Sequence, residues 1–195
     1  MKIQNNSILK FSILVYIIVS FSACVAIKFK TIQPQNAVSI PSFPRELIGK
    51  YVDNESDTMI ITECCFEYGN ENSGFSHNMD SLAKGTLELT RFDDYFVMNH
   101  HDDTGWIVIL IKPEVNAFSA YHMEMDSLKE EIKNTEDETV KEKMVIDRIR
   151  KITPVEKLKE KNSDDHYYLV NPTHDQLRKL IKAGLFVKIN EFKKI

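Results

Sequence analysis

His100, His101, Asp102 and Asp103 form the densest run of metal-ligating side chains in the sequence. Imidazole nitrogen and carboxylate oxygen together suit zinc, nickel or copper. Neighbouring residues of a strand face opposite sides of a sheet, so His100 and His101 cannot share an ion unaided. His122, on the next strand, could approach either of them across a strand pair, which makes His100, His101 and His122 the candidate metal ligands. The run also coincides with an expected hairpin turn, where polar residues gather without any ion. The adjacent thiols Cys64 and Cys65 are a second chemical signal. On a regular strand their side chains diverge, which disfavours a disulfide between them. A metal would need further ligands. The expectation is one sulfur in the core and one on the other sheet face. The alternatives are a disulfide to another chain or a redox role.

Glu124, Asp126, Asp164, Asp165 and His166 show no spacing that suits paired-carboxylate catalysis. The sequence contains no Gly-x-Ser-x-Gly, no His-Glu-x-x-His and no glycine-rich phosphate loop. No catalytic residue is assigned, no cofactor is implied, and the reading leans away from an enzyme. The formal net charge of −4 gives no attraction to phosphate backbones, so nucleic acid is excluded as a partner class. Three cysteines are too few for a disulfide-built scaffold. With 43% hydrophobic and 28% charged residues in 195, the chain has the material for one packed domain.

The elements that would position these groups are mostly strands. Leu47-Ile48-Gly49-Lys50-Tyr51-Val52 opens a first strand, and Met59 to Phe66 reads as one β-rich strand. The polar stretch 70–85 reads as a loop. Thr86-Leu87-Glu88-Leu89-Thr90 alternates with the period of a half-buried strand. Tyr95-Phe96-Val97-Met98 and Trp106 to Ile111 flank Asp102-Asp103-Thr104-Gly105, a hairpin signal. The second of these strands is apolar on both faces and should be central, with Pro113 ending it. Ala117 to Met123 continues the meander. Residues 126–162 are rich in Lys and Glu and predict a helix from about Ser127, a break near Asn134-Thr135, and a segment of open type. This stretch is a solvated face or a docking surface for an envelope partner. Thr153-Pro154-Val155-Glu156 carries the pattern of a capping box and predicts a short helix. His166 to Val170 reads as a strand. Asn171 or Thr173 caps a helix whose buried face is Leu177, Leu180 and Ile181, with Gly184 closing it. Leu185 to Ile189 is the final strand. Short connections between early strands predict an α+β domain: a curved, mostly antiparallel sheet or partly open barrel with helices packed on one side. Leu47 to Tyr51 loosely resembles the opening strand of lipocalin-like barrels, without the tryptophan of that family's Gly-x-Trp motif.

The first residues carry a different kind of signal. Lys2 and Lys10 precede an apolar run through Phe11, Ile13, Leu14, Val15, Tyr16, Ile17, Ile18 and Val19. A bilayer span needs about 20 apolar residues, and this shorter run fits the core of a signal peptide. It ends in Phe21-Ser22-Ala23-Cys24, which resembles the lipobox of bacterial lipoproteins, with Phe21 where Leu, Val or Ile is usual. The resemblance implies cleavage before Cys24 and acylation, palmitate included, of that cysteine. Two or more acyl chains anchor a protein stably. Simple secretion with cleavage near Ala23 or Ala26, and a retained N-terminal anchor, are the alternatives. The expected organisation is a signal peptide over 1–23, a lipid-anchored, proline-bearing tether over 24–44, and a single α+β domain over 45–195. Without the two lysines of the leader the net charge becomes −6. No acidic cluster follows Cys24, which points to the periplasmic face of the outer membrane. The expected function is a lipid-anchored cell-envelope protein with a non-enzymatic binding or interaction domain, its partners being the membrane and an envelope protein or small ligand. The alternatives are a periplasmic inhibitor or immunity-type lipoprotein, and a metal-dependent enzyme or metal carrier.

Overall fold

Phe29, Val108, Leu110, Leu128, Val145 and Leu177 are fully buried although they come from strands and helices spread along the whole chain. The structure, a computed structural model, describes residues 25–69, 78–161 and 165–195. The signal peptide, Cys24 and residues 70–77 of the loop expected over 70–85 lie outside the described residues; within the rest of that expected loop, Asn78–Ser81 is a strand, held by antiparallel pairing with Cys65 to Tyr68. In chain order the strands are β1 (Ile27–Phe29), β2 (Gly49–Val52), β3 (Thr58–Ile61), β4 (Cys65–Gly69), β5 (Asn78–Ser81), β6 (Leu87–Phe92), β7 (Tyr95–Asp102), β8 (Gly105–Glu114) and β9 (Ala117–His122). Two helices follow, α1 (Met125–Glu130) and α2 (Glu138–Arg150). The chain ends with β10 (Val155–Lys159), β11 (His166–Val170), α3 (His174–Lys182) and β12 (Val187–Lys194).

The twelve strands form one mixed sheet in the order β10-β11-β1-β8-β9-β12-β2-β3-β4-β5, with β6 and β7 branching from β8. The protein is therefore mainly β with few helices, and the sheet does not close into a barrel, which removes the lipocalin-like expectation. Every named pairing is antiparallel except β1 with β11. β8 is the hub. One of its edges pairs with β7, and the other is shared by β9 and, at Trp106, by β1. Its unbroken apolar run serves both faces: Val108 and Leu110 enter one core, Ile111 the other. Pro113 does not end it; the strand runs on to Glu114, with Pro113 opposite Phe118.

The buried residues of all three helices belong to the first core: Met125 and Leu128, Val145, Ile146 and Ile149, Leu177 and Leu180. The second core holds Phe43, Leu47, Tyr51, Ile61, Leu89, Phe96, Ile111, Phe118, Ala120 and Phe192, with no helix among its buried members. The sheet is thus covered by helices on one face, and the other face wraps around aromatic side chains.

Three expectations need correction. Residues 25–44 are not a tether. Ile27 and Phe29 are buried in the sheet, and Gln33 is locked to the β6–β7 pair. The Gln33 N–H donates to Asn99 Oδ1 at 2.7 Å, and its carbonyl accepts from Thr90 Oγ1 at 2.6 Å and Asn99 Nδ2 at 3.0 Å. These groups are buried, where a satisfied polar network specifies one arrangement. Prolines stiffen such a segment without excluding it from a fold. Met59 to Phe66 is not one strand but a hairpin, turning between Ile61 and Cys65. Thr153-Pro154-Val155-Glu156 starts no helix; Val155 to Lys159 pairs antiparallel with β11. Sheet pairing there overrides a local capping pattern. The segment after Asn134-Thr135, left open from sequence, is α2, capped by Asp137, whose side chain accepts from the Thr139 and Val140 N–H groups.

Candidate functional site

The second core opens to the surface as a cleft of about 290 Å³. That lies at the lower end of small-molecule sites, roughly 300 Å³ and up. Its floor is Ile111 on β8, Phe118 and Ala120 on β9 and Phe192 on β12. Phe118 and Phe192 stack with ring centroids 4.7 Å apart. Its walls are Met59 and Ile61 on β3, Phe66 and Tyr68 on β4, Met98 on β7, Ile109 on β8 and the buried Phe43, with the exposed Ile189 at the rim. Alternation places them: on β3 and β4 the residues two apart, Met59 with Ile61 and Phe66 with Tyr68, share a face. Register then sets Ile61 opposite Phe66 and Met59 opposite Tyr68. Methionines at two points of the wall give it side chains that adapt to an occupant's shape.

A carboxylate stands at one end of the cleft. Asp53, 7% exposed, lies just past the end of β2. Its Oδ2 accepts from the Tyr68 hydroxyl at 2.8 Å and from Asn190 Nδ2 at 2.7 Å. Its Oδ1 accepts from the backbone N–H groups of Glu55 and Asp57, each at 2.9 Å. Burial alone would raise this carboxyl, but the bonds from Tyr68, Asn190 and the two N–H groups outweigh it and hold it below the ordinary carboxylate range. Burial, then the hydrogen bond to Asp53 and the charges of Asp53 and Asp57, push the Tyr68 phenol well above its usual range. Asn190 Oδ1 accepts from the Glu191 N–H. The polar groups at this end are therefore engaged with one another, and the cleft offers an occupant apolar and aromatic surface.

Comparison with protein-family models, curated proteins and solved structures gives no match. The site stands on its geometry.

The structure does not bring the three candidate metal histidines together. His100 Nε2 faces Asp80 Oδ2 on β5 at 3.3 Å. His101 packs edge-on to Trp106, ring centroids 4.8 Å apart. The Nδ1 atom of His122 lies 3.0 Å from the Val108 carbonyl, and burial holds this imidazole below its usual range. Asp102 belongs to the hairpin: its Oδ1 accepts from the Thr104 and Gly105 N–H groups, and Lys28 pairs with its other oxygen. Among the described residues no group of three His, Cys, Asp or Glu side chains could hold a metal ion. Nor is any described helix long and apolar enough to cross a membrane.

Cys64 and Cys65 depart from expectation in the opposite direction. Both are free thiols, Cys64 exposed and Cys65 half-buried. Their sulfurs do not diverge but lie 3.3 Å apart, because Cys64 ends the turn between β3 and β4 and Cys65 is the first residue of β4. Asp53, Tyr68 and Asn190 went unnoticed in the sequence. The available signal was the alternation of Met59 with Ile61 and Phe66 with Tyr68, which needed the turn at Thr62–Cys64 to be seen first.

Proposed function

We propose that this chain is a non-enzymatic binding protein that takes a small, uncharged, largely apolar molecule in the cleft over Phe118 and Phe192. It works at the surface of a bacterial envelope membrane, on the periplasmic face of the outer membrane, held there by acyl chains on Cys24. The observation that carries the binding reading is the opening of an aromatic core to solvent, with Met59, Phe66, Met98, Ile109 and Ile189 left partly exposed around it. A concave, mostly apolar cleft edged by a few polar groups is the form that small-molecule sites take. The mutual satisfaction of Asp53, Tyr68 and Asn190 selects against a charged occupant, whose desolvation nothing in the cleft would offset. The anchoring part of the reading rests on the Phe21-Ser22-Ala23-Cys24 motif and its apolar approach.

Titration with the neutral dye N-phenyl-1-naphthylamine tests the cleft. Saturable fluorescence enhancement is expected, weakened by about tenfold in Met98→Trp, equivalent to roughly 1.4 kcal/mol. Enhancement that does not saturate, or that Met98→Trp leaves unchanged, removes the cleft as the site. Fractionation of Cys24→Ala tests the anchor separately: the variant should leave the membrane fraction, and its retention there would refute acylation at Cys24.

A further inference from the structure

The turn joining Ile61 to Phe66 carries two thiols that the binding reading does not use. Their positions are fixed by backbone. The Thr62 N–H donates to the Cys65 carbonyl, the Phe43 N–H to the Glu63 carbonyl, and the Leu82 N–H to the Cys64 carbonyl, each at 2.8 Å. The turn is thus pinned internally and from two other segments, with Cys64 Sγ and Cys65 Sγ held 3.3 Å apart at the surface. The Thr62 hydroxyl lies 3.0 Å from Cys65 Sγ and 3.9 Å from Cys64 Sγ, within reach of a thiolate at either.

We propose that Cys64 and Cys65 are a dithiol redox site that reduces low-molecular-weight disulfides and closes to a vicinal disulfide. One thiolate attacks a sulfur of the substrate R–S–S–R, the S–S bond breaks, and the first R–SH leaves after taking up the proton lost by the attacking cysteine. The neighbouring cysteine then attacks the mixed disulfide at the protein sulfur, forms the Cys64–Cys65 bond and expels the second R–SH with its own proton. Two electrons pass from the protein to the substrate. Adjacent Cα atoms are about 3.8 Å apart, short of the roughly 4.4–6.8 Å that disulfides prefer. The closed ring is therefore strained, and monothiols in excess re-open it, which makes the couple reversible. The proposal rests on the turn alone and is independent of any occupant of the cleft.

The third cysteine, Cys24, does not obscure the test, because trypsin releases residues 51–84 as one peptide containing only Cys64 and Cys65. The full-length protein is treated with oxidised glutathione, alkylated, digested and analysed by mass. The expected peptide is two hydrogens lighter than the dithiol form and carries no alkyl group and no glutathione. Excess reduced glutathione should restore two alkylatable thiols. Cys65→Ser should stop at one glutathione retained on Cys64, and Cys64→Ser at one retained on Cys65. A wild-type peptide that carries two glutathiones, stays fully alkylatable under excess oxidant, or is joined to Cys24 or a second chain would overturn the proposal.

Discussion

Asp53 organises more of the polar end of the cleft than one charge suggests. Truncation to alanine takes this acceptor from one Asn190 N–H and two backbone N–H groups together, and leaves the Tyr68 hydroxyl only Asp57 Oδ2 at 3.4 Å. These donors are only part-buried, so water can take up some of them, and Asp53→Ala should lower unfolding stability by about 1–3 kcal/mol, read by urea denaturation. The pH dependence follows from the sign of the shift. The folded carboxyl titrates below its unfolded value of about 3.9, so its contribution is complete above that pH and is lost as pH falls toward the folded value. The stability gap between wild type and Asp53→Asn should therefore narrow on acidification below about pH 4. A gap that stays constant would show that Asp53 is not held ionised by these bonds. None of this was legible in the sequence, because Asp53 acquires its role from Tyr68 and Asn190, and Asn190 lies 137 positions away.

Strands and helices were legible where a local pattern and the tertiary demand agree. β8 was read as central from its two apolar faces, and each face enters a core. α3 was read from its cap, its buried face and Gly184. It starts at a Thr173 capping box, buries Leu177 and Leu180, and ends at Gly184 with φ 69°. Where local and long-range signals conflict, the pairing partner decides. Thr153 has the same look as Thr173 but precedes β10, which is committed to β11. Its hydroxyl is buried without a hydrogen-bond partner among the described residues. The two threonines should respond oppositely in denaturant unfolding. Thr173→Ala removes a cap and should cost about 1 kcal/mol. Thr153→Val removes an unsatisfied buried oxygen at similar volume and should leave stability equal or higher. A comparable loss from both would restore a capping role to Thr153. The β3–β4 turn was missed for a related reason: Thr62, Glu63 and the two cysteines carry neither glycine nor proline to announce it.

The N-terminal segment shows how far composition can mislead about architecture. Prolines and polar residues suggested a linker over 25–44, yet Phe29 is fully buried and rests against Phe186, ring centroids 6.1 Å apart. Phe29→Ala should cost about 3–5 kcal/mol by denaturant unfolding, as buried phenylalanine truncations do. A change below about 0.5 kcal/mol would mark a surface or linker position instead. β1 is also the strand that joins β10 and β11 to the rest of the sheet. Its partner in that pairing, Tyr168, is made 141 positions after Ile27. A ribosome releases β1 among the earliest described residues and its parallel neighbour among the last. The sheet accordingly stays incomplete, with one edge each of β1, β9 and β2 bare, until nearly the whole chain has emerged. Maturation is then a single late event, and a nascent chain stalled before residue 170 would present an unfinished, association-prone sheet to whatever chaperone receives it.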